Sequence, residues 1–173
     1  MHTLAIIGNP NSGKTTLFNR LTGSNQHVGN WPGVTVDRKT GHINYQGKRT
    51  DVVDLPGIYS LSPYTQEEII AREFVLSDDL DGILNIVDAT NLERNLYLTM
   101  QLIGLGLPMV VALNFIDDVE AQDIHIDCAR LSERLGVPVF PISARRGLGM
   151  DALLQAVTGA VSYTHLTLPT ILR

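Results

Sequence analysis

A single cysteine, Cys128, is all the thiol chemistry available to this chain of 173 residues, so no internal disulfide can staple it. Its neighbours Asp127 and Arg130 do not suggest a nucleophile, and a packing role on a helix is expected. No basic run occurs: 13 Lys and Arg stand against 18 Asp and Glu, for a net charge of -5. Sequence-independent nucleic-acid binding relies on clustered Lys and Arg, so no nucleic-acid partner is expected. Apolar runs are short. The longest, such as residues 108–113, fall far below the roughly 20 residues that cross a bilayer, and no secretory pattern opens the chain. A soluble, intracellular piece is the expectation. His2, His27, His42, His125 and His165 are scattered without companions at ligand spacing, so no transition-metal site is expected.

What is present is a hydrophobic fraction of 44%, enough for one packed domain. Apolar, β-branched runs recur at 4–7, 51–53, 82–87, 109–113 and 137–140, separated by segments of helical spacing at 13–21, 66–76, 92–105, 127–135 and 150–157. That alternation predicts an α/β fold with a mostly parallel sheet covered by helices on both faces. Residues 42–45 and 50–53, joined by Gln46, Gly47 and Lys48, predict a hairpin that lays an antiparallel edge strand against the parallel set. Residues 22–39 carry Gly, Asn and Pro without a clear period and read as a long functional loop. Residues 161–173 are Thr-rich, broken by Pro169 and without an amphipathic face. They read as a non-native or disordered tail, like a translated sequencing-adaptor remnant, after a domain of residues 1–160.

Gly8-Asn9-Pro10-Asn11-Ser12-Gly13-Lys14-Thr15 follows the first apolar run and precedes Leu17, Phe18 and Leu21. This is a phosphate-binding loop in its required context of strand, loop and helix. Asn9, Pro10, Asn11, Ser12, Gly13, Lys14, Thr15 and Thr16 are therefore candidate phosphate contacts, with Lys14 as a point charge for the β- and γ-phosphates and Thr15 as a Mg²⁺ ligand. Asp54-Leu55-Pro56-Gly57 ends the next strand, where Asp54 can hold Mg²⁺ through water and the Gly57 N–H can sense the γ-phosphate. Asn114 and Asp117 follow the strand at 109–113. Asp117 can accept from the guanine N1–H and N2–H₂ while Asn114 buttresses the base pocket. Adenine offers neither donor in that arrangement, and a carboxylate left without partners discriminates strongly. Ser143, Ala144 and Arg145 complete the set, with the Ala144 N–H placed to reach guanine O6.

With these four ordered elements the chain resembles the GTPase superfamily, whose small regulatory members have a six-stranded sheet. It is more narrowly similar to the cytosolic G domain of ferrous iron transport protein B. The narrower resemblance rests on Val28-Gly29-Asn30-Trp31-Pro32-Gly33-Val34-Thr35-Val36, on Asp54-Leu55-Pro56-Gly57-Ile58-Tyr59-Ser60-Leu61 and on Asn91-Leu92-Glu93-Arg94-Asn95-Leu96-Tyr97-Leu98, and it covers residues 2 to about 160. It implies that 23–39 and 54–65 are switches, that Gly33, Val34 and Thr35 approach the nucleotide, and that Thr35 closes on Mg²⁺ and the γ-phosphate. Trp31, in a polar loop, is expected exposed and mobile. Ile58 occupies the place where signalling GTPases carry a water-orienting glutamine, so slow intrinsic hydrolysis is expected. Lys14, Thr35, Gly57 and Asn11 form the expected catalytic set, Asn11 as a K⁺ ligand in the manner of potassium-stimulated relatives, or else as a residue that tolerates the turn. Glu67 and Glu68, at the start of a helix, could help place water, but acidic residues are common there for dipole reasons alone.

The resemblance further implies GTP and GDP as ligands and the cytoplasmic face of a bacterial inner membrane as the setting. The transporter's own helical and membrane domains would be partners, with a homo-oligomer open for the full-length protein. Two alternatives remain at this point: a soluble ribosome-assembly or tRNA-modification GTPase, and a nucleotide-sensing module with negligible hydrolysis.

Overall fold

The computed structural model describes residues 2–163. One sheet of seven strands runs in the order β2-β3-β4-β1-β5-β6-β7. Its strands are β1 (His2–Gly8), β2 (Gln26–Asn30), β3 (Asp37–Tyr45), β4 (Lys48–Asp54), β5 (Gly82–Asp88), β6 (Met109–Asn114) and β7 (Val139–Pro141). The pairs β2–β3 and β3–β4 are antiparallel and the remaining pairs are parallel. The sheet thus has seven strands where the resemblance implied six. The additional strand, β2, lies in the stretch read as an aperiodic loop; all five of its residues are exposed, so no inward-facing apolar position announced it.

The helices are α1 (Lys14–Thr22), α2 (Gln66–Val75), α3 (Leu92–Ile103), α4 (Ile116–Ala121), α5 (Cys128–Leu135) and α6 (Met150–Tyr163), with a single 3-10 turn, Ala89–Asn91, leading into α3. α6 continues past the expected end of the fold near residue 159 as far as Tyr163. The rest of the expected tail, 164–173, lies outside the described residues. Local chemistry sets several boundaries. The Thr65 hydroxyl accepts from the Glu68 N–H while the Glu68 side chain accepts from the Thr65 N–H, a capping box that fixes the start of α2 and gives Glu68 a structural job. Asp127 caps α5 by accepting from the Arg130 N–H, and Gly136, at φ 78°, ends it in the left-handed region.

Strand alternation divides the core between the two faces of the sheet. Leu4 and Ile6 of β1 join Leu17, Phe18 and Leu21 of α1 and Leu153 and Val157 of α6 on one face. Ala5 and Ile7 join Ala71 and Val75 of α2 and Leu98 and Leu102 of α3 on the other, against which Cys128 and Leu131 of α5 also pack. Burial, followed by the charges of Asp127 and Glu120, raises the Cys128 thiol above its ordinary value, which makes it inert rather than nucleophilic.

A polar string crosses this second face. Thr99 donates to Asn85 Oδ1 at 2.6 Å, Asn85 donates to the Ile7 carbonyl at 3.0 Å, and the Asp88 N–H donates to Asn95 Oδ1 at 3.1 Å. α3 is therefore bolted to β1 just below the phosphate-binding loop.

Phe18 of α1 is fully buried in the core of the first face, with Leu4 and Ile6. Phe18→Ala is expected to cost about 3–5 kcal/mol in urea unfolding; a loss below about 1 kcal/mol would show that α1 is not seated as described.

Candidate functional site

The phosphate-binding loop forms because the chain must turn from β1 into α1 within a few residues. The Ser12 N–H donates to the Asn9 carbonyl at 3.3 Å, and the Leu17 N–H donates to the Gly13 carbonyl at 3.0 Å as α1 begins. Gly13 has φ 90°, and a Cβ there would strike the Asn114 amide nitrogen, so this position needs glycine twice over. Asn11 also has a positive φ, 64°, which Asn accepts more readily than most residues. A cavity of about 350 Å³ lies over the loop, lined by Asn9, Pro10, Asn11, Gly13, Lys14, Thr15 and Thr16, with Gly57 closing one side. A Cβ on Gly57 would sit 3.0 Å from Pro10 Cα, so the two loops touch through backbone. Lys14 Nζ and Asp54 Oδ1 form an ion pair at 2.5 Å, with side chains only 11% and 4% exposed.

On the base side one side chain joins two loops. Asn114, fully buried, donates from Nδ2 to the Ser12 carbonyl at 3.0 Å and accepts at Oδ1 from the Ala144 N–H at 3.0 Å. Asp117 stands three residues on, its carboxylate 3.8 Å from Arg145 and 3.9 Å from Arg146. Both separations exceed hydrogen-bonding distance, so the carboxylate keeps its lone pairs for a ligand. The 143–148 loop is closed by the Ser143 N–H to the Leu148 carbonyl and the Leu148 N–H to the Ser143 carbonyl, each at 3.1 Å.

Residues 9–16, Asp54 and Gly57 are thus gathered at the carboxyl ends of β1 and β4, with Asn114, Asp117, Ser143, Ala144 and Arg145 alongside at those of β6 and β7. Gly33, Val34 and Thr35 are not brought to them: they lie in the turn between β2 and β3, and none lines the phosphate cavity. Trp31 departs from its expected exposure. Only 8% of it is accessible; its ring meets Phe74 of α2 edge-on at 5.7 Å, and the Arg38 guanidinium lies 4.7 Å above it. The indole is the largest apolar group in that stretch, and the β2–β3 hairpin folds back far enough to bury it on α2. Ile58 is 2% exposed, and its N–H donates to the Gly8 carbonyl at 3.0 Å, which straps the segment after Gly57 to β1.

Sequence reading missed Arg20. It donates to the Ala144 carbonyl at 2.6 Å and to the Arg145 carbonyl at 2.7 Å, holding the base loop from the far end of α1. Its partners are backbone atoms more than 120 positions away, which leave no signature in a motif. Arg146, beside Asp117, was missed likewise. Among the described residues no group of three or more His, Cys, Asp and Glu is placed to hold a metal ion, and no helix is long and apolar enough to cross a membrane.

The family model described as ferrous iron transport protein B matches residues 2–157, so the chain belongs to that family. It is 54% identical over 159 residues to the Fe(2+) transporter FeoB of Escherichia coli K12, a match covering 90% of this chain and 21% of that protein, so it spans about a fifth of the length of such relatives. A point variant of S. thermophilus NFeoB, solved with GDP bound, superimposes with a TM-score of 0.86 at 55% identity, covering 93% of this chain and 62% of that one. The FeoB G-domain from Methanococcus jannaschii gives 0.83 at 44% identity, covering 93% and 97%.

Asn114→Ala would leave the Ala144 N–H and the Ser12 carbonyl buried without their partner. The variant is expected to lose about 1–3 kcal/mol in urea unfolding; a loss under about 0.5 kcal/mol would mean the two loops are held together by something else.

Proposed function

We propose that the chain binds GTP with Mg²⁺ and slowly hydrolyses it to GDP and phosphate, as the nucleotide-operated domain, residues 1–160, of a ferrous iron transporter at the cytoplasmic face of a bacterial inner membrane. The observation that carries this reading is the Asn114 bridge, which places Asp117 and the Ala144 N–H at a fixed offset from the phosphate-binding loop. A purine seated beside this bridge meets a carboxylate suited to guanine N1–H and N2–H₂, whereas the Ala144 N–H expected from the sequence to reach guanine O6 is instead taken by Asn114 Oδ1. The GDP-bound S. thermophilus relative supports the same choice of base.

The residues at the phosphate end fit a triphosphate and its metal. A Cβ at Gly13 would strike the Asn114 amide and one at Gly57 would press on the Pro10 backbone, and the buried Lys14–Asp54 pair holds a cation and a carboxylate beside the loop. On binding, Lys14 exchanges Asp54 for the β- and γ-phosphate oxygens, which frees Asp54 to hold water around Mg²⁺ while Thr15 offers its hydroxyl. Held by Thr15 and, through water, by Asp54, Mg²⁺ would supply neutralisation of the phosphate charge. Thr35 must travel from its turn to join it, and that movement draws on the hairpin that Trp31 pins to Phe74. The Gly57 N–H donates to the γ-phosphate.

Ile58 has no polar atom on its side chain and is buried, so water is not oriented from this position and the unaided rate is low. Asn11, exposed and lining the phosphate cavity, offers its carboxamide oxygen to K⁺, which would add positive charge where other GTPases use an arginine. Order and disorder of 23–39 and 54–65 would pass the nucleotide state to the transporter's helical and membrane domains. The burial of Ile58 also suits a sensor that acts by bound state alone, and single-turnover assay separates the two.

Phosphate release from Mg²⁺–GTP is expected to be several-fold faster in KCl than in NaCl, and Asn11→Ala is expected to bring the KCl rate down to the NaCl rate. Equal wild-type rates in the two salts would remove the K⁺ role, and no phosphate over hours would leave the sensor. Trp31 emission is expected to shift to longer wavelength on binding Mg²⁺ with a non-hydrolysable GTP analogue, as the indole leaves Phe74. An unchanged spectrum would contradict the proposed release of the hairpin.

A further inference from the structure

A second cavity, of about 210 Å³, adjoins residues 9–11 of the phosphate-binding loop. Asn9, Pro10 and Asn11 line both cavities; Tyr59, Asp88 at the end of β5, Asn91, and Arg94 and Asn95 of α3 complete the second. Two features single it out. The Asn9 side chain is 4% exposed, lines this cavity, and finds no partner for either polar atom among the described residues. At the rim, the Arg94 guanidinium lies 4.3 Å from the centroid of the Tyr59 ring, and among the described residues no carboxylate comes within ion-pair distance of it.

We propose that Arg94 is a positioning residue for GTP hydrolysis: by stacking on Tyr59 it clamps the 57–59 segment to α3 and holds the Gly57 N–H on the γ-phosphate side of the loop. The inference rests on the GTPase reading of the neighbouring site. Arg94 precedes Asn95, whose carboxamide accepts from the Asp88 N–H and donates to the Asn91 carbonyl at 2.9 Å, so the base of the clamp is fixed. Thr99 and Asn85 carry the same helix to the Ile7 carbonyl, one residue before the loop begins. Tyr59 follows Ile58, whose N–H is bound to the Gly8 carbonyl, and Gly57 abuts Pro10. The segment is thus held at Gly8 and Pro10 on one side and through the Tyr59 ring on the other. Without a glutamine side chain to orient water, backbone placement is what this segment contributes, and a looser Tyr59 widens the range over which the Gly57 N–H wanders. Arg is suited to the task because its planar cation lies flat on an aromatic face and tolerates partial exposure. The clamp also covers the cavity that the Asn9 carboxamide lines, a polar space roomy enough for water.

The test is steady-state turnover of Mg²⁺–GTP in KCl together with GDP affinity and amide exchange. Arg94→Ala and Tyr59→Leu are each expected to slow turnover about two- to fivefold, the size of an exposed cation–π contact expressed as a rate. GDP affinity is expected to stay within about twofold, and the double variant to be no slower than either single one. Arg94→Lys and Tyr59→Phe, which keep a cation and a ring face, are expected to recover most of the loss. Wild-type turnover in Arg94→Ala, or a double variant slowed by the product of the two single effects, would overturn the proposal. Should the wild-type chain itself release no phosphate, the GTPase reading falls, and exchange at the Ile58 amide still decides the clamp. Faster exchange in Arg94→Ala supports it; identical exchange overturns it.

Discussion

Everything at the nucleotide end of this molecule depends on where the Asn114 carboxamide sits. Its two hydrogen bonds, to the Ser12 carbonyl and from the Ala144 N–H, fasten the phosphate-binding loop to the base loop across 102 and 30 positions of sequence. The bridge works because the sheet order places β1 centrally, with β4 on one side and β5 then β6 on the other, so the carboxyl ends of β1, β4 and β6 open on one crevice. Gly13 answers the same constraint from below, since any larger residue would collide with Asn114. Arg20 answers it from behind by holding the Ala144 and Arg145 carbonyls. In the proposed nucleotide complex, phosphate and base would be met at a set spacing, which would make a purine nucleotide more than the sum of two weak fragments.

The opposite character prevails around 23–39. β2 buries none of its residues and, among the described residues, pairs with β3 alone and has an open edge. Such an element belongs to the low-stability end of a fold. What fixes it to the rest of the fold is the Trp31 indole against Phe74, Val34 and Val36 on the core, and the bonds of Gln26 and Asn25 to the end of α1. A segment held by so few groups can exchange between two arrangements at modest cost, which is what Thr35 requires if it is to serve the γ-phosphate. The Lys14–Asp54 pair is a comparable device at the other side, with each ion partnered until a ligand redistributes them.

How much of this could be read from the chain follows from how local each cause is. The buried parallel strands were legible because a short, continuous apolar run rich in β-branched residues and bounded by turn residues suits a strand covered on both faces, and 82–87 and 109–113 fall within one residue of β5 and β6. The phosphate loop and Asn114 were legible because their chemistry fixes residue types at fixed spacing. β2 was illegible because an edge strand with no buried face has no period to show. α4, six residues long, was too short for helical spacing to register. Trp31 misled because flanking Asn30 and Pro32 describe the local chain, whereas the burial comes from Phe74 of α2, more than 40 residues on. Arg20 and the Arg94–Tyr59 stack are tertiary facts, invisible until α1, α3 and the 57–60 segment have been placed in space.

If the Asn114 bridge makes this a guanine site tied to a phosphate loop, titration calorimetry with Mg²⁺–GDP and Mg²⁺–ADP on the wild-type chain will separate the two bases. GDP is expected to bind at least about 10³-fold more tightly than ADP, since adenine leaves the Asp117 carboxylate without its donors. Equal affinities for the two diphosphates would contradict the guanine assignment and, with it, the role given to the bridge.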